Sequence, residues 1–286
     1  MTLKRRVISF LDRPGGRWLL GRLATAQARK ATGADVGVVF KNGWVHRGDD
    51  KYFPDGKAFN YREPDFRRWP GEYERQKAAA REYWFQTYRP KVGDVMVDVG
   101  AGRGEDLGAF SEAVGDCGRV FAIEAHPDSF DRLNRFKMLN GLANVETVHA
   151  AISDQPGEAI ITNDDAWEAN DIFAGGAGQG WSVPMMTLGE VCRRYGIGTI
   201  HFLKMNIEGA ERQALSGMVD VIRDVRNICV ACHDFRADRG DGEQFRTRDF
   251  AREFLLDHGF QLHSRPNHPE DFARDHLFGV RNEVRP

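Results

Sequence analysis

Three glycines in five positions follow the apolar run VMV in the stretch DVGAGRGED, Asp98 to Asp106. Gly100, Gly102 and Gly104 permit a tight turn there and let backbone amides, with the positive end of a following helix, face a bound group. The next apolar run ends in Glu124, within FAIEAHP, twenty residues after Gly104. A carboxylate at that place accepts both hydroxyl hydrogens of a ribose diol, so loop and acid together describe a nucleoside site. Two further groups could handle protons, His233 in ACHDF and Glu208 in NIEGAE. Imidazole titrates near working pH, which makes His233 the first candidate for a general base and Glu208, at an expected helix start, the second. Cys229 and Cys232 form a CxxC, but NICVACHDF has strand character and residues three apart in a strand point to opposite faces, so no metal or redox pair is expected.

These groups need a scaffold that gathers strand ends. From Val95 onward, apolar runs of strand length alternate with segments of helical period, which predicts an α/β doubly wound sheet. The strands are VMVDV, RVFAIEA, NVETVHA, IHFLKMN, NICVACHD, FQLHSR and HLFGVRN, with a short extra strand, EAIIT, after the third. Helices are predicted over Glu105 to Val114, Asp128 to Asn140, Thr187 to Tyr195, Glu208 to about Met218 and about Arg248 to His258. Pro127 suits the first turn of the second, Thr187 and Glu190 stand at capping-box spacing in the third, and Gly259 stops the last. Ligands of such sheets sit outside the carboxyl ends of the strands, where DVGAGRGED lies.

Before Lys91 the chain changes character. Basic helix material around Trp18 to Arg29 gives way to a stretch from Trp44 to Trp69 that is rich in aromatics and charges but lacks sustained periodicity. A helix over about Glu72 to Tyr88 then leads into the first core strand. The expected division is a cap region over residues 1–90, packed on a sheet domain over residues 91–286 and reaching over its site.

With 286 residues, 41% hydrophobic and 29% charged, the chain sustains a real core. A net charge of -2 provides no global drive toward nucleic acid. One basic patch exists: before Gly33, Lys4, Arg5, Arg6, Arg13, Arg17, Arg22, Arg29 and Lys30 face a single acid, Asp12. The apolar run VISFL is shorter than the roughly 7–15 residues of a signal-peptide core or the roughly 20 of a membrane span. Four scattered cysteines, Cys117, Cys192, Cys229 and Cys232, do not make a disulfide framework. The expectation is a cytoplasmic chain, with a homo-oligomer left open.

Dinucleotide sites favour GxGxxG, whereas here the spacing is GxGxG with Asp98 two residues before the first glycine. That pattern resembles motif I of class I S-adenosylmethionine-dependent methyltransferases. Downstream, VFAIEAHPDSFDRLNRFKMLNGLANVETVHAAISD, MMTLGEV and IHFLKMNIEGAERQALSGM are similar, in that order, to the FkbM-type methyltransferase family, over about Lys91 to His233. The most specific piece is LKMNIEGAE, where the family usually shows LKIDVEGAE.

The resemblance implies a Rossmann-like seven-stranded sheet of order 3-2-1-4-5-7-6 with the last strand antiparallel, and S-adenosylmethionine as cofactor. It also implies methyl transfer to hydroxyls of sugars or of polyketide- and peptide-derived products. Asp98, Gly100, Gly102 and Gly104 would then form the cofactor loop, with Asp98 positioning the methionine end. Glu124 would hold the ribose, backbone near Ala151 in HAAISD would contact the adenine, and Asn206 and Glu208 would border the reacting methyl. Asn206 replaces the family's usual Asp and Ala231 a frequent Glu, which weakens a divalent-metal site. The Asn206 amide oxygen and the Asp234 carboxylate still leave magnesium open.

His149 is expected to flank the adenine. Trp167 and Trp181, around FAGGAGQGW, could stack on a sugar from a loop, and Arg236 or Arg239 could bind the acceptor. The expected function is O-methylation of a saccharide or glycosylated metabolite, such as a mannose-based polysaccharide precursor. Two other readings stay open: a non-catalytic cofactor-binding module acting through its basic N-terminus on a partner or membrane surface, and an NAD-dependent oxidoreductase.

Overall fold

The computed structural model describes residues 3–162 and 180–281. An antiparallel sheet of β1 (Gly37–Phe40), β2 (Trp44–Gly48) and β3 (Lys51–Pro54) comes first. The main sheet is built from β4 (Val95–Val99), β5 (Arg119–Glu124) and β6 (Val145–His149). The short β7 (Ala151–Ile152), β8 (Gly157–Thr162) and β9 (Gly180–Met186) form a third sheet. The main sheet resumes with β10 (Phe202–Met205), β11 (Asn227–Ala231), β12 (Phe260–His263) and β13 (His276–Arg281).

Across the main sheet the order is β6-β5-β4-β10-β11-β13-β12, which in core-strand numbering is 3-2-1-4-5-7-6. Only β13 runs against its neighbours. Each strand alternates faces, so Val97, Val99, Leu203 and Met205 enter one core while Met96, Phe202 and Cys229 enter the other. Both faces are covered by helices, as near-continuous apolar strands require. Cys232 lies in the first core, so the CxxC pair is split by the sheet, and burial holds both thiols above the usual range.

The helices form close to their predicted spans. Pro127–Asn140 begins on its proline, and Leu188–Tyr195 carries the full capping box of Thr187 and Glu190. A cap of that kind is worth about 1 kcal/mol. Several boundaries differ, and the helix predicted over about Glu72 to Tyr88 ends at Trp84. The first core helix is Leu107–Val114, and the helix expected from Glu208 starts only at Glu211 and ends at Ser216. Glu211 accepts from the amides of Ile207 and Gly209, so the residues before it form a separate turn rather than a helical one.

The N-terminal region departs most from expectation. Its aromatic and charged residues form β1–β3 and a small core of their own, where Trp44, Phe66 and Trp69 pack with Leu20, Ala24 and Ala28 of the helix Arg17–Thr32. His46 is sandwiched between Phe53 and Trp69 and bonded to Asp55 at 2.8 Å and Glu72 at 3.0 Å. Burial opposes its charge, but the two carboxylates raise it to about 9, so it stands as a buried cation.

This region packs on the main domain at several places, Arg135 donating to the carbonyls of Lys41, Trp44 and Asp55 and Lys77 pairing with Glu112. Tyr52 and Asn140 exchange two hydrogen bonds, and the helix Glu72–Trp84 lays Ala80 and Trp84 into the second core. The extra strand EAIIT also finds an unforeseen partner: β8 pairs with β9, which places Trp181 in a strand.

Candidate active site

At the carboxyl ends of β4, β5 and β10 a cavity opens, lined among others by Gly100, Gly102, Glu124, Ala151, Asn206 and Glu208. The loop after β4 is tied down at once, because Gly100 and Ala101 both donate to the Ile123 carbonyl, at 2.9 and 3.0 Å. Gly100 has φ +80°, and a Cβ there would lie 1.9 Å from the Asn206 carbonyl oxygen. Its missing side chain therefore serves a close approach of the protein's own backbone. Gly104 likewise abuts Leu107, Phe136 and Leu133. Gly102 is the glycine whose amide faces the acid, donating to Glu124 Oε2 at 2.8 Å.

The other carboxylate oxygen, Glu124 Oε1, accepts from His126 N at 2.8 Å. Two backbone donors fix the carboxylate and leave one lone pair on each oxygen, which suits the two hydroxyls of a ribose. Burial raises its pKa to about 7 against those amides. With the apolar wall of Ile123, Ala150 and Ile152 and the polar end at Asn206 and Glu208, the lining fits a nucleoside carrying a polar tail.

Asp98 does not line the cavity. It is fully buried, 2.8 Å from Lys204 Nζ, and Lys204 also reaches Asp106 at 3.5 Å and donates to the Gly100 carbonyl at 2.8 Å. Burial alone would lower the ammonium, but the carboxylates of Asp98 and Asp106 hold it above the usual lysine range. Lys204 was not singled out from the sequence. Its signal is a charge inside the buried strand FLKM, in register with Asp98 of β4.

His233 is likewise not placed as a free base. Its Nδ1 is 2.9 Å from Glu211 Oε1 and its Nε2 3.3 Å from Glu208 Oε1. Burial opposes its charge, yet the two carboxylates raise it to about 10, so both ring nitrogens carry protons at neutral pH. Arg236 donates to Glu208 Oε2 at 2.9 Å. Despite burial, these cations hold Glu208 below the usual carboxylate range, hence ionised. Glu208 also has φ +52°, a left-handed backbone that costs a non-glycine residue about 1 kcal/mol or more. The His233 and Arg236 contacts keep it there. Glu211, three residues on, is the second residue missed in sequence.

Of the two magnesium candidates, Asn206 lines the cavity and Asp234 does not. Asp234 Oδ2 accepts from the amides of Thr247 and Arg248, at the start of the helix Arg248–Asp257. Among the described residues no group of three or more His, Cys, Asp or Glu could hold a metal ion.

His149 stacks on Phe130 and bonds the Ala125 carbonyl, outside the cavity lining. Trp181 meets His126 edge-on at 4.9 Å, while Trp167 lies outside the described residues. Arg239 pairs with Asp271 at the surface. A second, polar cavity lies between the N-terminal sheet and the glycine loop, lined by His46, Asp55, Tyr61, Arg68, Arg103 and Arg132 among others.

Residues 98–262 match the methyltransferase FkbM domain model. No curated protein matches the sequence. Among solved structures, a methyltransferase FkbM from Methylobacillus flagellatus KT is 16% identical with a TM-score of 0.47, over 68% of this chain and 45% of that one. The chain thus spans less than half of that protein's length. Fibrillarin from Aeropyrum pernix, solved with natively bound S-adenosyl-L-methionine, is 15% identical with a TM-score of 0.44, over 72% of this chain and 74% of that one. A SAM-dependent methyltransferase from Aquifex aeolicus is 16% identical with a TM-score of 0.42, over 73% and 95%. The family model covers more than half of the sequence, and the main sheet has the strand order the resemblance implies, so the chain belongs to the FkbM family of S-adenosylmethionine-dependent methyltransferases.

Proposed function

We propose that the chain transfers methyl from S-adenosylmethionine to a hydroxyl of a saccharide or glycosylated metabolite. The observation that carries this reading is one cavity with a backbone-fixed carboxyl, Glu124, in its wall and an ionised carboxylate, Glu208, held beside Asn206. When bound, the cofactor supplies an activated methyl with a strong leaving group. In this reading Glu124 accepts the ribose hydroxyls, backbone near Ala151 borders the base, and Asn206 and Glu208 flank the reacting end.

Positioning is then the main contribution of the protein. The acceptor oxygen gains positive charge as its bond to carbon forms, and the fixed negative charge of Glu208 favours that change. Glu208 takes the hydroxyl proton late, while His233 and Arg236 keep its carboxylate in place rather than acting as bases. Support for a hydroxyl-rich acceptor comes from the second cavity, whose lining joins aromatic rings to carboxylates and arginines.

The test is calorimetric titration with S-adenosylhomocysteine and with NAD, followed by transfer of labelled methyl to a panel of monosaccharides and glycans. Binding of the homocysteine nucleoside with turnover on a sugar supports the proposal. Binding without turnover on any hydroxyl acceptor favours a non-catalytic module, and binding of NAD alone sinks both.

A further inference from the structure

The two N-terminal helices, Leu3–Leu11 and Arg17–Thr32, leave an outer face that the fold does not use. Inward, Ile8, Leu11, Leu20, Ala24 and Ala28 join the small N-terminal core. Outward stand Val7 at 50% exposure, Phe10 at 69%, Trp18 at 70%, Leu19 at 43% and Leu23 at 53%. These are five of the eleven large apolar side chains exposed among the described residues, gathered within seventeen positions. Isolated exposed apolar groups mean little, but five on two consecutive helices mark an interaction surface, with Trp18 and Leu23 at its two flanks.

The charges on this face have one sign. Exposed Arg6, Arg13, Arg22 and Lys30 lie among the apolar groups, with Arg13 over the Phe10 ring at 5.9 Å and Arg22 over Trp18 at 5.1 Å. The one acid in the first 33 residues, Asp12, is turned inward, accepting from Arg17, Trp44 Nε1 and Phe59 N at 3.2, 3.0 and 2.7 Å. Bordering acids are engaged as well, Asp35 with Arg29 and Arg47 and Glu63 with Arg67.

We infer that this face docks on an anionic lipid bilayer, with Phe10, Trp18 and Leu23 entering the interface and the arginines meeting the headgroups. Amphipathic helices that lie in the membrane plane combine aromatic and leucine side chains with lysine or arginine in this way. No described helix is long and apolar enough to cross a membrane, so the contact is with one leaflet. A second copy of the chain fits poorly, because a two-fold contact sets the same patch against itself and brings arginine against arginine. The docking is independent of the chemistry proposed above.

The experiment is co-sedimentation of the full chain with vesicles of phosphatidylcholine alone, or with about a third phosphatidylglycerol, at low and high salt. Binding is expected to the anionic vesicles only, and to fall with salt. Reversal of three charges, Arg6→Glu, Arg13→Glu and Arg22→Glu, should lower the partition coefficient about a hundredfold. Phe10→Ser with Trp18→Ser should lower it about tenfold or more. All five side chains are exposed, so circular dichroism melts should match the parent. Equal sedimentation of parent and variants, or no binding at low salt, would overturn the inference. So would a dimer in lipid-free solution that Trp18→Ser makes monomeric, since that assigns the face to a second copy.

Discussion

Lys204 Nζ lies 2.8 Å from Asp98 Oδ1, with the two side chains 2% and 0% exposed. The pair sits in register on adjacent strands beneath the glycine loop, and the same ammonium holds the Gly100 carbonyl. The loop is therefore anchored by a buried ion pair as well as shaped by its glycines. Removing one partner strands the other charge, so Lys204→Met should cost about 3–5 kcal/mol, and adding Asp98→Asn should recover much of it. Urea midpoints of the single and double variants measure this. Additive losses would show that the two groups are not coupled.

Gly100 offers a steric test. An alanine Cβ would sit 1.9 Å from a backbone carbonyl at positive φ, whereas at exposed Gly198 nothing lies within 4 Å. Gly100→Ala should displace the loop, lower the melting temperature and weaken S-adenosylhomocysteine binding at least tenfold, an overpacking cost of roughly 1–3 kcal/mol. Gly198→Ala should be near neutral by thermal melts and calorimetry.

Cofactor affinity should depend on pH through Glu124. Burial raises this carboxyl to about 7, and only its ionised form accepts two hydroxyl hydrogens. Below that value, S-adenosylhomocysteine affinity should fall about tenfold per pH unit, a slope that Glu124→Gln should abolish. The stability term has the opposite sense. Because the folded value exceeds the ordinary 4.5, this group costs stability as pH rises from about 4.5 to about 7. An affinity flat between pH 5.5 and 8 would count against Glu124 as the ribose acceptor.

His233 should behave as a clamp. Its folded pKa of about 10 lies above the ordinary 6.5, so its stabilisation is complete below about 6.5 and lost as pH rises through about 10. The rate profile should then lack a rising limb near pH 6.5 that His233→Gln removes. His233→Gln should instead lower stability by about 3–5 kcal/mol, because Glu211 loses its buried cation. A general base would give the reverse result: a loss of roughly 10²–10⁴ in kcat with the melt unchanged.

The apolar pattern after Val95 is strong enough to mark each main-sheet strand without knowing its neighbours, because the central strands are buried on both faces and the edge strand β12 still turns Phe260 and Leu262 inward. The loop glycines and Glu124 were also legible, since both follow a strand end at fixed spacing. The N-terminal sheet was not. Its strands are four or five residues long and carry polar residues such as His46, whose partners Asp55 and Glu72 come from elsewhere in the chain. Only the third dimension sets those contacts.

The same reason separates the residue types of the site from their roles. The sequence by itself determined the family, the order of the main-sheet strands and the presence of Asp98, Lys204, Glu208, Glu211 and His233. The tertiary structure alone decided that Lys204 meets Asp98 and that His233 lies between two acids. A side chain's charge depends on the groups folding brings within about 4–6 Å, and strand register and turn geometry set those distances.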